Sequence, residues 1–192
     1  MSKAGHHRNV ERASWDELYD QIQTVKSKLS FKHLCDTTSA NILVLNAQMQ
    51  IAFVSRGCLD LLNIQDPAVV YGCRIGEAVQ CIHANKRSGC GTTPFCRVCG
   101  VARAWRTTLQ GVATERNYSI SQLNKPQTLE LCIQSKPIEL EGMRYILLSL
   151  TNNQPKPLSD PKVRRPRSGP PFIADHRAAR LLHKIQADNI MR

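Results

Sequence analysis

Residues 41–55 read NILVLNAQMQIAFVS. Two apolar runs, Ile42–Leu45 and Ile51–Val54, flank the polar segment Asn46–Gln50. Short runs of this kind, parted by a polar turn, specify a strand–turn–strand hairpin. Outward from it, RGCLDLLNI (56–64) reads as a short helix carrying Cys58, Leu61 and Leu62, interrupted at Asp66-Pro67. Residues 116–122 form a short strand, TLELCIQSKPIEL (128–140) a longer one, and the Glu141-Gly142 turn leads into RYILLSLTN (144–152). Each strand group is joined by turns rather than by helical crossovers. That connectivity predicts an α+β domain with an antiparallel sheet.

Upstream of the hairpin, residues 14–30 read as an amphipathic helix. Ser14 and Glu17 have the spacing of a capping box, in which hydroxyl and carboxylate each serve a free N–H at the helix start. Trp15, Leu18, Ile22, Val25 and Leu29 recur at three- and four-residue steps, a narrow stripe close to a heptad seam. Such a stripe packs either on its own domain or on a second copy, so residues 14–30 are a candidate homodimer contact.

The stretch CIHANKRSGCGTTPFCRVCG (81–100) concentrates the chemistry. Cys81, Cys90, Cys96 and Cys99 follow the spacing C-x8-C-x5-C-x2-C, with His83 nearby. The N-terminal residues contain no apolar signal core, and no stretch is apolar enough to span a membrane, so a reducing, cytoplasmic setting is expected. There a cluster of four cysteines points to metal binding or thiol chemistry rather than to disulfides; a metal site is the leading reading, ahead of inert buried cysteines and a metal-free redox pair at Cys96 and Cys99. Four thiolates suffice for tetrahedral zinc or an iron–sulfur cluster, and the spacing leaves both open. Thr93 is the expected N-cap and Pro94 the first residue of a helix, which would set Cys96 and Cys99 on one face of its first turn. Gly89 and Gly91 give the loop freedom to turn backbone N–H groups toward sulfur. No Asp or Glu occurs between Glu77 and Glu115, whereas Lys86, Arg87, Arg97, Arg103 and Arg106 do, and their charge would offset that of thiolates. His83 and Cys73 are reserve ligands. Cys35, Cys58 and Cys132 read as small buried or half-buried residues.

The formal charge is +11, and more than half of the excess lies in the last 42 residues. The segment NNQPKPLSDPKVRRPRSGPP is too poor in apolar residues to fold alone. Beyond it, residues 173–187 have the pattern of a short basic helix. Arg164, Arg165, Arg167, Arg177, Arg180 and Lys184 are candidate contacts for the phosphates of a nucleic acid, or for a protein partner. Few aromatic residues accompany them, which favours the protein partner. No haem-attachment sequence, phosphate-binding glycine loop, paired-carboxylate pattern or Ser/His/Asp constellation stands out, and no enzymatic activity is expected.

The order helix, hairpin, short helices, longer helix and closing strands resembles a PAS domain over roughly residues 35–151. The resemblance implies a five-stranded antiparallel sheet with helices on one face, and a sensory or regulatory role in signal transduction. Within it, GCRIGEAVQCIHANKRSGCGTTPFCRVCGVARA resembles a variant of bacterial sensory PAS proteins with a cysteine-rich insert before the long helix. In that variant the domain precedes a histidine kinase or another output module. No kinase motif follows residue 151, so the output is expected from a protein partner or the tail. The expected organisation is a flexible N-terminus (1–13), the amphipathic helix (14–34), the PAS-like domain (35–151) with its insert (81–100), and a basic, largely disordered tail (152–192).

Overall fold

The computed structural model describes residues 11–28, 41–84, 89–126 and 128–153. Its elements are α1 (Trp15–Lys28), β1 (Ile42–Leu45), β2 (Ile51–Val54), α2 (Arg56–Leu62), a 3-10 turn (Pro67–Val69), α3 (Ile75–Ala78), α4 (Phe95–Val98), α5 (Gly100–Leu109), β3 (Thr114–Ser121), β4 (Thr128–Leu140) and β5 (Met143–Asn152). The five strands form one antiparallel sheet in the order β2-β1-β5-β4-β3. This is the α+β architecture expected from the sequence. Cys35, Lys86, Arg87, the tail contacts Arg164 to Lys184 and the helix expected at 173–187 lie outside the described residues.

Local chemistry sets the strand connections. Asn46 turns its side chain back on the β1–β2 loop, its Oδ1 accepting the N–H groups of Gln48 (3.0 Å) and Gln50 (2.8 Å). Met49 takes the left-handed conformation that this reversal requires (φ 69°). At the β4–β5 turn, Glu141 and Gly142 both have positive φ (50° and 74°), the pair of left-handed residues that matches strand twist in a two-residue hairpin.

The sheet is covered on both faces. On the inner face, Leu43, Leu45, Leu131, Ile133, Ile146, Leu148 and Leu150 pack against α2, α3 and α5 through Cys58, Ile75, Ala102 and Trp105. On the outer face, Leu18, Ile22 and Val25 of α1 pack with Val44, Ala52 and Tyr145 and are fully buried. Of the stripe read as a candidate dimer seam, Leu18, Ile22 and Val25 are therefore already covered by the chain's own sheet, while Leu29 lies outside the described residues. β1, buried on both sides, accordingly reads as an unbroken apolar run rather than an alternating one.

The N-terminal boundary also differs from expectation. Arg12 donates to the Gly72 carbonyl (3.1 Å), and the Ala13 N–H donates to Gln50 Oε1 (2.8 Å). The segment entering α1 is thus fastened from residue 12 onward. Only half of the expected capping box forms. Ser14 Oγ accepts the Glu17 N–H (3.2 Å), whereas the Glu17 carboxylate accepts from Gln21 (3.3 Å).

Candidate metal centre

Three pieces of chain meet on the inner face to build the cysteine region. The first is α3 with the turn behind it. The Cys81 N–H donates to the Gly76 carbonyl (2.7 Å), and the Ile82 N–H donates to Ser121 at the end of β3 (3.1 Å). This fixes Cys81 and His83 beside the sheet edge. The second piece is the loop at Gly89–Thr93, where Gly89 and Gly91 have φ of 95° and 89°. The third is α4, with Cys96 inside it and Cys99 just after it.

All four predicted cysteines and His83 line one small, partly open cavity of about 40 Å³, together with Met49, Ile75, Gly76, Phe95, Val101 and Ile120. Its walls are otherwise almost wholly apolar. A water molecule needs roughly 10–15 Å³, so the space suits a small occupant. Among the described residues, no three His, Cys, Asp or Glu side chains already stand as a closed ligand group. The four cysteines share the space without their sulfurs closing on one point.

The surroundings hold the sulfurs with polar hydrogens. Cys96 Sγ accepts the Gly91 N–H (3.3 Å) and lies 3.2 Å from Thr93 Oγ1. Cys90 is buried, and desolvation pushes its thiol up to about 12; a backbone hydrogen bond from Gly76 acts in the opposite direction, while Cys96, Glu77 and Cys99 raise it further. Those last contributions place Cys90, Cys96 and Cys99 within electrostatic reach of one another. A Cβ on Gly76 would stand 2.6 Å from Cys90 Sγ, so only glycine leaves this cradle open.

Two residues that sequence reasoning missed hold the loop in position. The Glu77 carboxylate accepts the Arg74 N–H (2.9 Å) and the Cys90 N–H (2.9 Å), and it pairs with the Arg12 guanidinium. Arg74 donates to the Cys90 carbonyl (2.8 Å) and to the Gln48 carbonyl (3.1 Å). Burial chiefly, and then the nearby Arg12, lower the Arg74 pKa, while Glu77, Cys90 and Cys96 raise it. Arg74, upstream of the basic interval read in the sequence, is thus a cation beside Cys90 and Cys96. The available signal was that Glu77 is the sole carboxylate between Asp66 and Glu115.

The helix expected from Pro94 onward is broken. Cys99 is extended (φ −60°, ψ 125°) and separates α4 from α5, so Cys96 and Cys99 do not share the first turn of one helix. The physical reason lies at Gly100, where a Cβ would stand 2.2 Å from the Tyr118 ring. α5 starts against that ring, and the chain bends at Cys99 to reach it. Thr93 precedes the helix without capping it, its hydroxyl being turned to Cys96 Sγ. Cys73 stands apart from the cavity and donates to the Val69 carbonyl (3.2 Å). Burial first, then Glu77, raise its pKa to about 11 against the opposing pull of Arg12. Cys58 is fully buried, and desolvation pushes it up to about 12. Cys132 lies half-buried in β4.

No protein-family model matches the chain, and no curated protein does. Among solved structures, the PAS domain of Bordetella pertussis BvgS is 15% identical with a TM-score of 0.46, covering 86% of this chain and 99% of that one. The PAS domain of an HTR-like protein from Haloarcula marismortui is 18% identical with a TM-score of 0.44, covering 69% and 95%. A PAS domain from a two-component sensor histidine kinase is 8% identical with a TM-score of 0.46, covering 66% and 99%. The architecture itself is carried by the strand order and the burial pattern described above.

Proposed function

We propose that this chain is a PAS-type sensory or regulatory domain that holds a metal centre through Cys81, Cys90, Cys96 and Cys99 and signals to a protein partner. One observation carries the reading: four thiols spread over nineteen positions of sequence line a single small cavity. A random set of buried cysteines would have no reason to converge. The glycine cradle at Gly76 and the N–H groups directed at Cys90 and Cys96 fit the same purpose, since hydrogen bonds to sulfur favour the thiolate that a metal needs. When bound, zinc would staple the loop to the core, whereas an iron–sulfur cluster would make the domain responsive to oxygen or redox state.

The chain's own residues give such a centre a route outward. Cys90 is tied through its N–H to Glu77, and Glu77 to Arg12, two residues before the Ser14 that starts α1. A shift of the Cys90 loop would alter how α1 is held on the outer face. That helix, with the chain leading into it, is the surface offered to a partner.

The test is purification without oxygen, followed by metal and sulfide analysis and a visible spectrum. One zinc per chain in colourless protein supports the single-ion form. Iron with equal sulfide, and a broad band that bleaches in air, supports the cluster form. Well-folded protein with neither metal, which also takes up neither on addition, overturns the reading.

A further inference from the structure

We infer that His83 is a ligand of the same ion, through Nδ1, so that the donor set contains one nitrogen beside sulfur. The inference rests on the metal reading above and deepens it. Among the described residues, four buried side-chain nitrogen or oxygen atoms lack a hydrogen-bond partner: Gln48 Oε1, His83 Nδ1, Trp105 Nε1 and Tyr118 OH. Only His83 belongs to a residue that lines the cysteine cavity. A buried nitrogen lone pair with no donor facing it is unfavourable unless something else occupies it. Beside four thiols, a metal ion is the chemically fitting occupant.

The ring is also held in place. His83 stacks on Phe95 at 4.3 Å between centroids with a 16° interplanar angle, and Phe95 directly precedes Cys96. The turn carrying His83 is closed by the Ala84 N–H donating to the Cys81 carbonyl (2.9 Å). An imidazole held this way loses little freedom on binding. A tetrahedral ion takes four ligands and the cavity offers five donors, so His83 takes one place and three thiolates take the others. That set, three cysteines and one histidine, is a composition typical of structural zinc. A thiolate is also exchanged for a neutral group, which takes the formal charge of the centre from −2 to −1 in a site with Arg74 close by.

The full chain loaded with zinc reports this without mutation. X-ray absorption at the zinc edge should give three sulfurs near ~2.3 Å and one nitrogen near ~2.0–2.1 Å, with the outer-shell scattering of an imidazole. Four sulfurs and no nitrogen overturn the inference while leaving the metal reading intact, and they would make His83 a packing residue only. Protein that takes up no zinc overturns the inference, and if it takes up no iron either, it overturns the metal reading as well. As a second measurement, His83→Ala and Phe95→Ala are compared in a zinc competition titration. His83→Ala should weaken zinc by more than ~10-fold and abolish the nitrogen shell, whereas Phe95→Ala should keep the nitrogen and weaken binding less, as loss of a supporting contact does. Equal zinc affinity in His83→Ala and the parent protein also overturns the assignment.

Discussion

At the scale of single residues, Gly76 carries the sharpest demand. Gly76→Ala places a methyl group on Cys90 Sγ, and overpacking of this kind costs about 1–3 kcal/mol. The variant should melt lower than the parent and bind zinc more weakly, both readable in one thermal titration with and without the ion. Cys58 gives a prediction in pH. Its folded pKa, about 12, lies above the value of an exposed thiol near 8.5–9, so the unfolded chain releases this proton first as pH rises. The stability contributed by the neutral thiol is complete below about pH 9 and declines from there toward 12, at up to about 1.4 kcal/mol per pH unit. Denaturant midpoints measured from pH 8 to 11 should fall with pH, and Cys58→Ala should flatten part of that slope. Glu77 and Arg12 separate by exposure. The Arg12 side chain is 39% exposed and Glu77 only 15%, so the ion pair is screened whereas the two backbone N–H bonds to Glu77 are not. Arg12→Ala should cost no more than about 1 kcal/mol, and Glu77→Ala about 2–3 kcal/mol, because it strips acceptors from the Arg74 and Cys90 amides. A result with Arg12 the costlier of the two would mean that the salt bridge, not the loop anchoring, dominates.

Among the elements, α1 is the one whose partner could not be read from its own pattern. A stripe of Leu18, Ile22 and Val25 looks the same whether it meets a sheet or a second helix. Only the outward-facing Val44, Ala52 and Tyr145 decide, and they come from three different strands. Ile22→Ala should destabilise the domain by about 2–5 kcal/mol, as a fully buried truncation does, and should speed amide exchange along α1 and β1 together. Strands were legible almost residue for residue, 128–140 above all, because their apolar alternation is local. The helix from Pro94 was not, since its break at Cys99 answers to Tyr118, a contact made across the fold. The same holds for the metal-centre supports. The cysteines announced themselves by spacing, but Glu77 reaches Cys90 thirteen positions away and Arg74 reaches it sixteen away, and nothing local marks either pair. Gly100→Ala tests the break directly. It should push α5 off the Tyr118 ring and lower the melting temperature, by more than Gly142→Ala, whose added methyl meets no neighbouring atom and costs only the strain of a positive φ.

For the molecule as a whole, the cysteine insert shares one core with the sheet through Ala84 and Cys90, and it is tied to α3 and to the end of β3 by backbone hydrogen bonds. An ion bound at a thousand times its dissociation constant would add about 4.1 kcal/mol of stability, and chelation under reducing conditions should remove that increment while leaving the sheet's circular-dichroism signal in place. The strand order has a separate consequence, in the time course of folding. β1 pairs with β5, so Ile42 meets Ser149 and Leu45 meets Ile146. β5 also pairs with β4, which makes it the strand that joins the β1–β2 hairpin to the β3–β4 pair. A nascent chain therefore holds two unconnected halves until residues 143–152 have left the ribosome, and contacts this distant in sequence form slowly. The insert, encoded at 81–100, emerges well before that. Its thiols are therefore open to solvent while Ile120, which lines their cavity from β3, has yet to be synthesised.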